Sequence, residues 1–162
     1  MRTAKSCPVG LMVKIFLVII MTSLVLGGCS FRTSRTGANP LGLAAAKTAK
    51  KYLGVPYVYG GRSPKGFDCS GLALYVYKLH GITLPATSSK QAKAGQPVKR
   101  KELLPGDLVF FRTSALGGVG HVGIYIGNGQ FIHAPGTGRK VTTAGLDEKY
   151  FKARYHSARR VK

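Results

Sequence analysis

The stretch from His121 to Ala134 constrains this chain more than any other. Two runs of largely apolar residues, Val122 to Ile126 and Gln130 to Ala134, are separated only by Gly127-Asn128-Gly129. That spacing predicts a β-hairpin, and the turn chemistry allows two registers. A two-residue Asn-Gly turn pairs Gly127 with Gln130 and sends His121 and His133 to opposite sheet faces. A three-residue loop, with Gly129 in the left-handed region, pairs Ile126 with Gln130 instead. Gly123 then faces His133, and the two histidines lie diagonally on one face, roughly 7–8 Å apart. Val122, Ile124, Ile126 and Ile132 form the opposite, core-facing side. The second register satisfies packing and chemistry together, and the sequence is read that way.

Helical signals precede this hairpin and strand signals surround it. Asn39-Pro40 is suited to open a helix with Leu41, Ala45, Ala49, Tyr52 and Leu53 on one face, ended by Gly54 and Pro56. Asp68 to His80 is a second helix, capped by Asp68 and carrying Leu72, Tyr75, Val76 and Leu79 as its stripe. A short third helix starts at Thr87 or Ser88 and stops at Gly95. Strands follow at 107–111, 122–126, 130–134 and 140–143, then a helical turn at 146–151. A polar strand at 154–161 is expected at the sheet edge. Helices first and strands afterwards indicate an α+β fold, with N-terminal helices packed on an antiparallel sheet of about five strands.

The N-terminus reads as an address. Arg2, Lys5 and Lys14 flank an apolar run from Ile15 to Leu26. As a helix that run is roughly 18 Å long, short of the about 30 Å needed to span a bilayer core. Leu26-Gly27-Gly28-Cys29 resembles a lipobox, so residues 1–28 are expected to be a cleaved lipoprotein signal peptide. Cys29 is then the lipidated, palmitate-bearing anchor, and 29–39 a tether reaching at most about 33 Å for its ten residues after Cys29. Ser30 in place of Asp favours the outer membrane, facing the periplasm. Residues 40–162 form one domain. The formal net charge of +20 would suggest nucleic acid in a cytosolic protein. In an exported monomer it favours an anionic envelope polymer and argues against a nucleic-acid partner.

Cys7 falls in the signal and Cys29 is the acylation site, which leaves Cys69 as a thiol with no disulfide partner in an oxidising compartment. It opens a helix, where unpaired backbone N–H groups favour thiolate over thiol. A nucleophilic thiolate needs a base that later serves as an acid, and His121 suits that role with His133 orienting its ring. His80 and His156 are read as structural. Gly118-Val119-Gly120-His121-Val122-Gly123 matches G-x-G-x-x-G, but a strand follows it where a dinucleotide site needs a helix. One cysteine and scattered histidines lack zinc-ligand spacing, so neither a metal nor a cofactor is expected.

Four segments carry a resemblance: Pro56-Tyr57-Val58-Tyr59-Gly60-Gly61, Phe67-Asp68-Cys69-Ser70-Gly71, Leu104-Pro105-Gly106-Asp107-Leu108-Val109-Phe110-Phe111 and His121-Val122-Gly123-Ile124-Tyr125-Ile126-Gly127. In this order and spacing the chain resembles the NlpC family of papain-like cysteine peptidases, in its short lipoprotein members. The likeness covers about Lys47 to Val161. It implies a cell-wall (peptidoglycan) endopeptidase with a Cys69–His121–His133 triad. It also implies Tyr57 at the oxyanion and Asp68, Ser70 and Ser88 beside the stem-peptide groove. The resemblance departs at Pro85-Ala86-Thr87-Ser88, where many members carry an arginine after the proline. Stem peptides are the expected partner, with either the γ-D-glutamyl–diaminopimelate bond or the cross-bridge as target. The rival readings are a non-catalytic envelope-binding lipoprotein and an amidase or acyltransferase on the same scaffold.

Overall fold

The computed structural model describes residues 39–114 and 117–162. The segment expected as a signal peptide with Cys7, the expected acylation site Cys29, the expected tether as far as residue 38, and Ala115 and Leu116 of the glycine-rich loop lie outside the described residues.

Helix α1 (Pro40–Lys50) begins at Asn39-Pro40, because the fixed φ of proline suits the first helical position. It buries Gly42, Ala45, Ala46 and Ala49. Leu53, expected on the inner face, is exposed instead, since the helix has already ended at Lys50. Tyr52 does turn inward and meets Phe67 and Tyr75 edge-on. Helix α2 (Cys69–Lys78) buries Leu72, Ala73, Val76 and Tyr77. Leu79 lies beyond the last helical residue and is exposed, so Tyr77 takes its place in the core. The Tyr77 hydroxyl donates to the Gly106 carbonyl, which satisfies a polar atom the apolar pattern could not place. A two-stranded ribbon, β1 (Arg62–Ser63) and β2 (Gly66–Phe67), leads into α2, and α3 (Ser88–Gln91) follows it.

The main sheet has six antiparallel strands rather than about five: β3 (Gln96–Val98), β4 (Leu108–Arg112), β5 (Val119–Gly127), β6 (Gln130–His133), β7 (Thr142–Gly145) and β8 (Tyr155–Arg160). Their order is β3-β8-β4-β5-β6-β7. The C-terminal strand is therefore internal, between β3 and β4, and not at the edge. Its polarity is absorbed by an ion pair. The Arg160 guanidinium reaches the fully buried Asp107 carboxylate at 2.7 and 2.8 Å, while Ala158 fills the core. The edges are β3 and β7, and Pro97 of β3 has no N–H to leave unpaired there.

The sheet is buried on both faces. Val122, Ile124 and Ile132 meet α1 and α2 through Ala45, Leu72 and Val76. Val109, Phe111, Phe131 and Leu146 form a second cluster with Phe151 of α4 (Lys149–Arg154). The histidines lie on this second, aromatic side, so their face is packed rather than open.

Candidate active site

The β5–β6 hairpin uses the turn that the sequence reading set aside, yet reaches the register that reading chose. Asn128 and Gly129 have φ of 53° and 72°, and Gly127 pairs with Gln130 across a two-residue turn. Both central residues are left-handed, the conformation an Asn-Gly turn favours. The pairing then shifts between Tyr125 and Gly127, so Ile126 is an inserted bulge residue. Beyond it Tyr125 faces Phe131 and Ile124 faces Ile132. A bulge thus reconciles the turn with the burial pattern, and it returns His121 and His133 to one face. His121 Nε2 lies 2.8 Å from His133 Nδ1, with both side chains buried. Phe111 packs on His121, while Phe131 and Phe151 pack on His133, locking the rings.

A second bulge brings the thiol into range. On β4 and β5, Phe111 pairs with His121 but Arg112 pairs with Val119, which leaves Gly120 without a partner. The Gly120 carbonyl oxygen stands 4.0 Å from Cys69 Sγ. A Cβ at Gly120 would come within 2.7 Å of Thr113 Oγ1 and the Ser114 nitrogen, so only glycine fits the bulge. The Val122 N–H also reaches the Cys69 sulfur. The sulfur is thereby held against the backbone on either side of His121. With His121 Nε2 committed to His133, Nδ1 is the ring nitrogen without a protein partner among the described residues.

The electrostatics depart from the simple helix-terminus argument. Burial raises the Cys69 thiol above its ordinary value, and the Asp68 charge adds to this. The backbone N–H groups of Val122, Ser70 and Cys69 pull the other way without prevailing. Burial also pushes His121 down to about 4. It pushes His133 to about 3, aided by His121 and Arg139. Burial thus disfavours a lone thiolate and a lone imidazolium alike.

The first turn of α2 is clipped from several directions. Asp68 Oδ1 accepts the Gly71 N–H at 2.6 Å and the Ser70 hydroxyl at 3.0 Å, and Oδ2 accepts the Gly60 N–H at 3.0 Å. Ser70 also lies 3.1 Å from the Ala86 carbonyl. Asp68 and Ser70 thus bond to the protein itself, while Ser88 is buried at the start of α3. Tyr57 is half-buried, with its N–H on the Arg139 carbonyl at 2.9 Å. Burial raises its phenol, and the charges of Cys69 and Asp68 act in the same direction.

Sequence reasoning missed Gln91. It is fully buried, and its Nε2 donates to the carbonyls of Ser70 at 3.0 Å and Pro85 at 2.8 Å. It ties α3 to the residue after Cys69. Nothing in Ser88-Ser89-Lys90-Gln91 signals burial. His80 bonds to Thr48 Oγ1 at 3.0 Å and His156 accepts from Arg112 at 3.3 Å, both away from the thiol. A cleft of about 350 Å³ is lined by His121 and His133 together with Arg139, Glu148 and Tyr150.

The NlpC/P60 family sequence model matches residues 54–160. Murein DD-endopeptidase MepH of Escherichia coli is 48% identical over 113 residues, covering 67% of this chain and 42% of that protein. A gamma-D-glutamyl-L-lysine dipeptidyl-peptidase of Bacillus cereus is 39% identical over 134 residues, covering 82% of this chain and 40% of its own length. The crystal structure of an NlpC/P60 family protein from Bacillus cereus superposes with a TM-score of 0.70 at 41% identity, over 74% of this chain and 39% of that one. This chain therefore spans about two fifths of the length of these relatives.

Proposed function

This chain belongs to the NlpC/P60 family, and from that premise we propose that it is a peptidoglycan endopeptidase in which Cys69 attacks a stem-peptide amide. The observation that carries the reading is the 2.8 Å contact between His121 Nε2 and His133 Nδ1, with the Cys69 sulfur lying against the residues flanking His121. His121 is neutral at neutral pH, so Nδ1 has a lone pair for the thiol proton, and the thiolate formed beside it offsets the burial that weakens it as a base.

The thiol proton passes to His121 Nδ1 as sulfur bonds to the amide carbon. The resulting oxyanion is met by the Cys69 N–H and the Tyr57 hydroxyl. The C–N bond then breaks, and His121 returns its proton to the departing amine. Water attacks the thioester with His121 as base, releasing the carboxylic acid and restoring the thiol. His133 accepts the Nε2–H of His121 throughout and steadies the imidazolium that forms. Asp68, Ser70 and Gln91 hold the sulfur's helix in place, with Ser88 at the base of the groove.

The cell envelope is the proposed setting. Acylation of Cys29 would tether a monomeric domain to the outer membrane on its periplasmic side. The excess of Lys and Arg over Asp and Glu that remains after removal of residues 1–28 would hold it near anionic polymer. Digestion of purified peptidoglycan, with products identified by mass spectrometry, tests the activity. New muropeptides from wild type and none from Cys69→Ala are expected. No product from wild type, or equal product from the variant, rejects the reading in favour of a binding protein. Products that carry a transferred acyl group identify a transferase.

A further inference from the structure

We propose that Gln91 is a positioning residue for the nucleophile. Its buried amide, on α3, clamps the Ser70–Gly71 peptide and thereby aims the backbone N–H groups that meet the Cys69 sulfur and the oxyanion. The oxyanion part rests on the endopeptidase reading; the clamp itself rests on geometry.

The peptide that follows Cys69 and Ser70 is held at both polar ends. Its N–H, from Gly71, donates to Asp68 Oδ1 at 2.6 Å. Its carbonyl, from Ser70, accepts from Gln91 Nε2 at 3.0 Å. On the other side of the thiol, the Asp68 N–H donates to the Gly61 carbonyl at 3.0 Å. Anchors therefore stand before and after Cys69, and only two peptide planes lie between them. Those two planes carry the N–H groups of Cys69 and Ser70, and both reach the sulfur. Each plane is rigid, so fixing the flanking ones leaves few dihedrals by which the pair could turn.

The chemistry of the side chain shows what the position requires. Gln91 is fully buried, and its Nε2 also donates to the Pro85 carbonyl at 2.8 Å. Both partners are carbonyl oxygens, which only accept, so both amide hydrogens are engaged and the group cannot be turned over. This arrangement strands Oε1, which is buried with no partner among the described residues. A buried carbonyl oxygen left unpaired destabilises the fold. An apolar side chain of the same length would avoid that, but would release the side-chain grip on the Ser70 carbonyl. Ser70 Oγ adds a second link to the same segment, 3.1 Å from the Ala86 carbonyl. The start of the thiol's helix and the segment 85–91 are thus joined by polar bonds rather than by apolar contact alone.

Gln91→Met in the full chain tests the clamp, because it keeps the side chain's length and removes both donors together with the stranded oxygen. Tm should stay within about 3 °C of wild type. On a linear stem peptide kcat should fall at least about tenfold, with KM within about twofold. Alkylation of Cys69 by iodoacetamide should move its pH midpoint upward, since the N–H groups that favour thiolate are no longer aimed. Gln91→Glu should recover part of the lost kcat at acid pH, where a neutral carboxyl offers one O–H at the same reach, and lose that recovery on ionising. Rates are divided by the wild-type profile, which removes the titration of Asp68, Cys69 and the histidines. A kcat within about twofold of wild type, or a loss that follows only the unfolded fraction, overturns the clamp. A rise in KM alone overturns it too, as does an alkylation midpoint that stays in place. If Gln91→Met does not fold, Gln91→Glu decides, and an activity ratio independent of pH overturns the clamp. Should wild type cleave no stem peptide, the endopeptidase reading falls and the alkylation midpoint still decides the clamp.

Discussion

Helices α1 and α2 start with the same kind of residue and are held in opposite ways. Asn39 and Asp68 are both extended N-caps, with φ of −93° and −89°. The Asn39 side chain caps nothing, and its amide nitrogen is buried without a partner. Helix α1 is located instead by backbone packing, with Gly42 against the Pro105-Gly106 turn. Asp68 by contrast gathers three hydrogen bonds from Gly60, Ser70 and Gly71 around the cysteine that follows it. The scaffold helix tolerates an idle cap because shape positions it. The helix that carries the thiol is fixed by directional bonds, which define the sulfur's position more tightly than apolar contact does.

Substitutions should separate these two modes. Gly42→Val should be the most destabilising, by about 3 kcal/mol or more in chemical denaturation, because packed backbone must move. Its Cβ would stand 2.5 Å from the Pro105 carbonyl oxygen. Activity per folded molecule should change little. Asp68→Ala should cost about 2 kcal/mol through the lost cap and the stranded N–H groups. It should also lower kcat at least about tenfold, with partial recovery in Asp68→Asn, whose Oδ1 still accepts from Gly71. A kcat loss no larger than that of Gly42→Val would remove the distinction.

The histidine side predicts a pH dependence. Burial moves His121 from 6.5 down to about 4 and His133 to about 3. Between those values and 6.5 the unfolded chain binds more protons than the folded one, so stability rises with pH in that window. Full stability is expected above about pH 6.5 and progressive loss toward pH 4, followed as Tm against pH. His133→Asn should flatten part of that slope. The smallest effect is expected for Asn39→Ala, within about 0.5 kcal/mol of wild type, since the amide it removes has no partner to lose.

The thiol and the histidines were legible because short-range rules govern them. A carboxylate before a helix and alternation along a hairpin both act within a few residues. The parts that escaped depend on contacts distant in sequence. β8 is polar by composition and became internal only because Arg160 finds Asp107, 53 residues away. Gln91 reads as surface because its carbonyl partners at Ser70 and Pro85 come from other elements. β3 was hidden by Pro97, which an edge strand tolerates. In the hairpin, turn chemistry and burial each pointed to a different loop. A bulge at Ile126 met both demands, an arrangement that a choice between two unbroken registers leaves out.

The central claim is that Cys69 forms a bond to its substrate. Wild-type protein mixed with a linear stem peptide, quenched in acid within the first turnovers and weighed intact, tests it directly. The account predicts a mass increase equal to the acyl half of the peptide, mapped to Cys69, and absent from Cys69→Ala. Peptide cleavage by wild type with no adduct at any quench time, or an adduct on another residue, would contradict it.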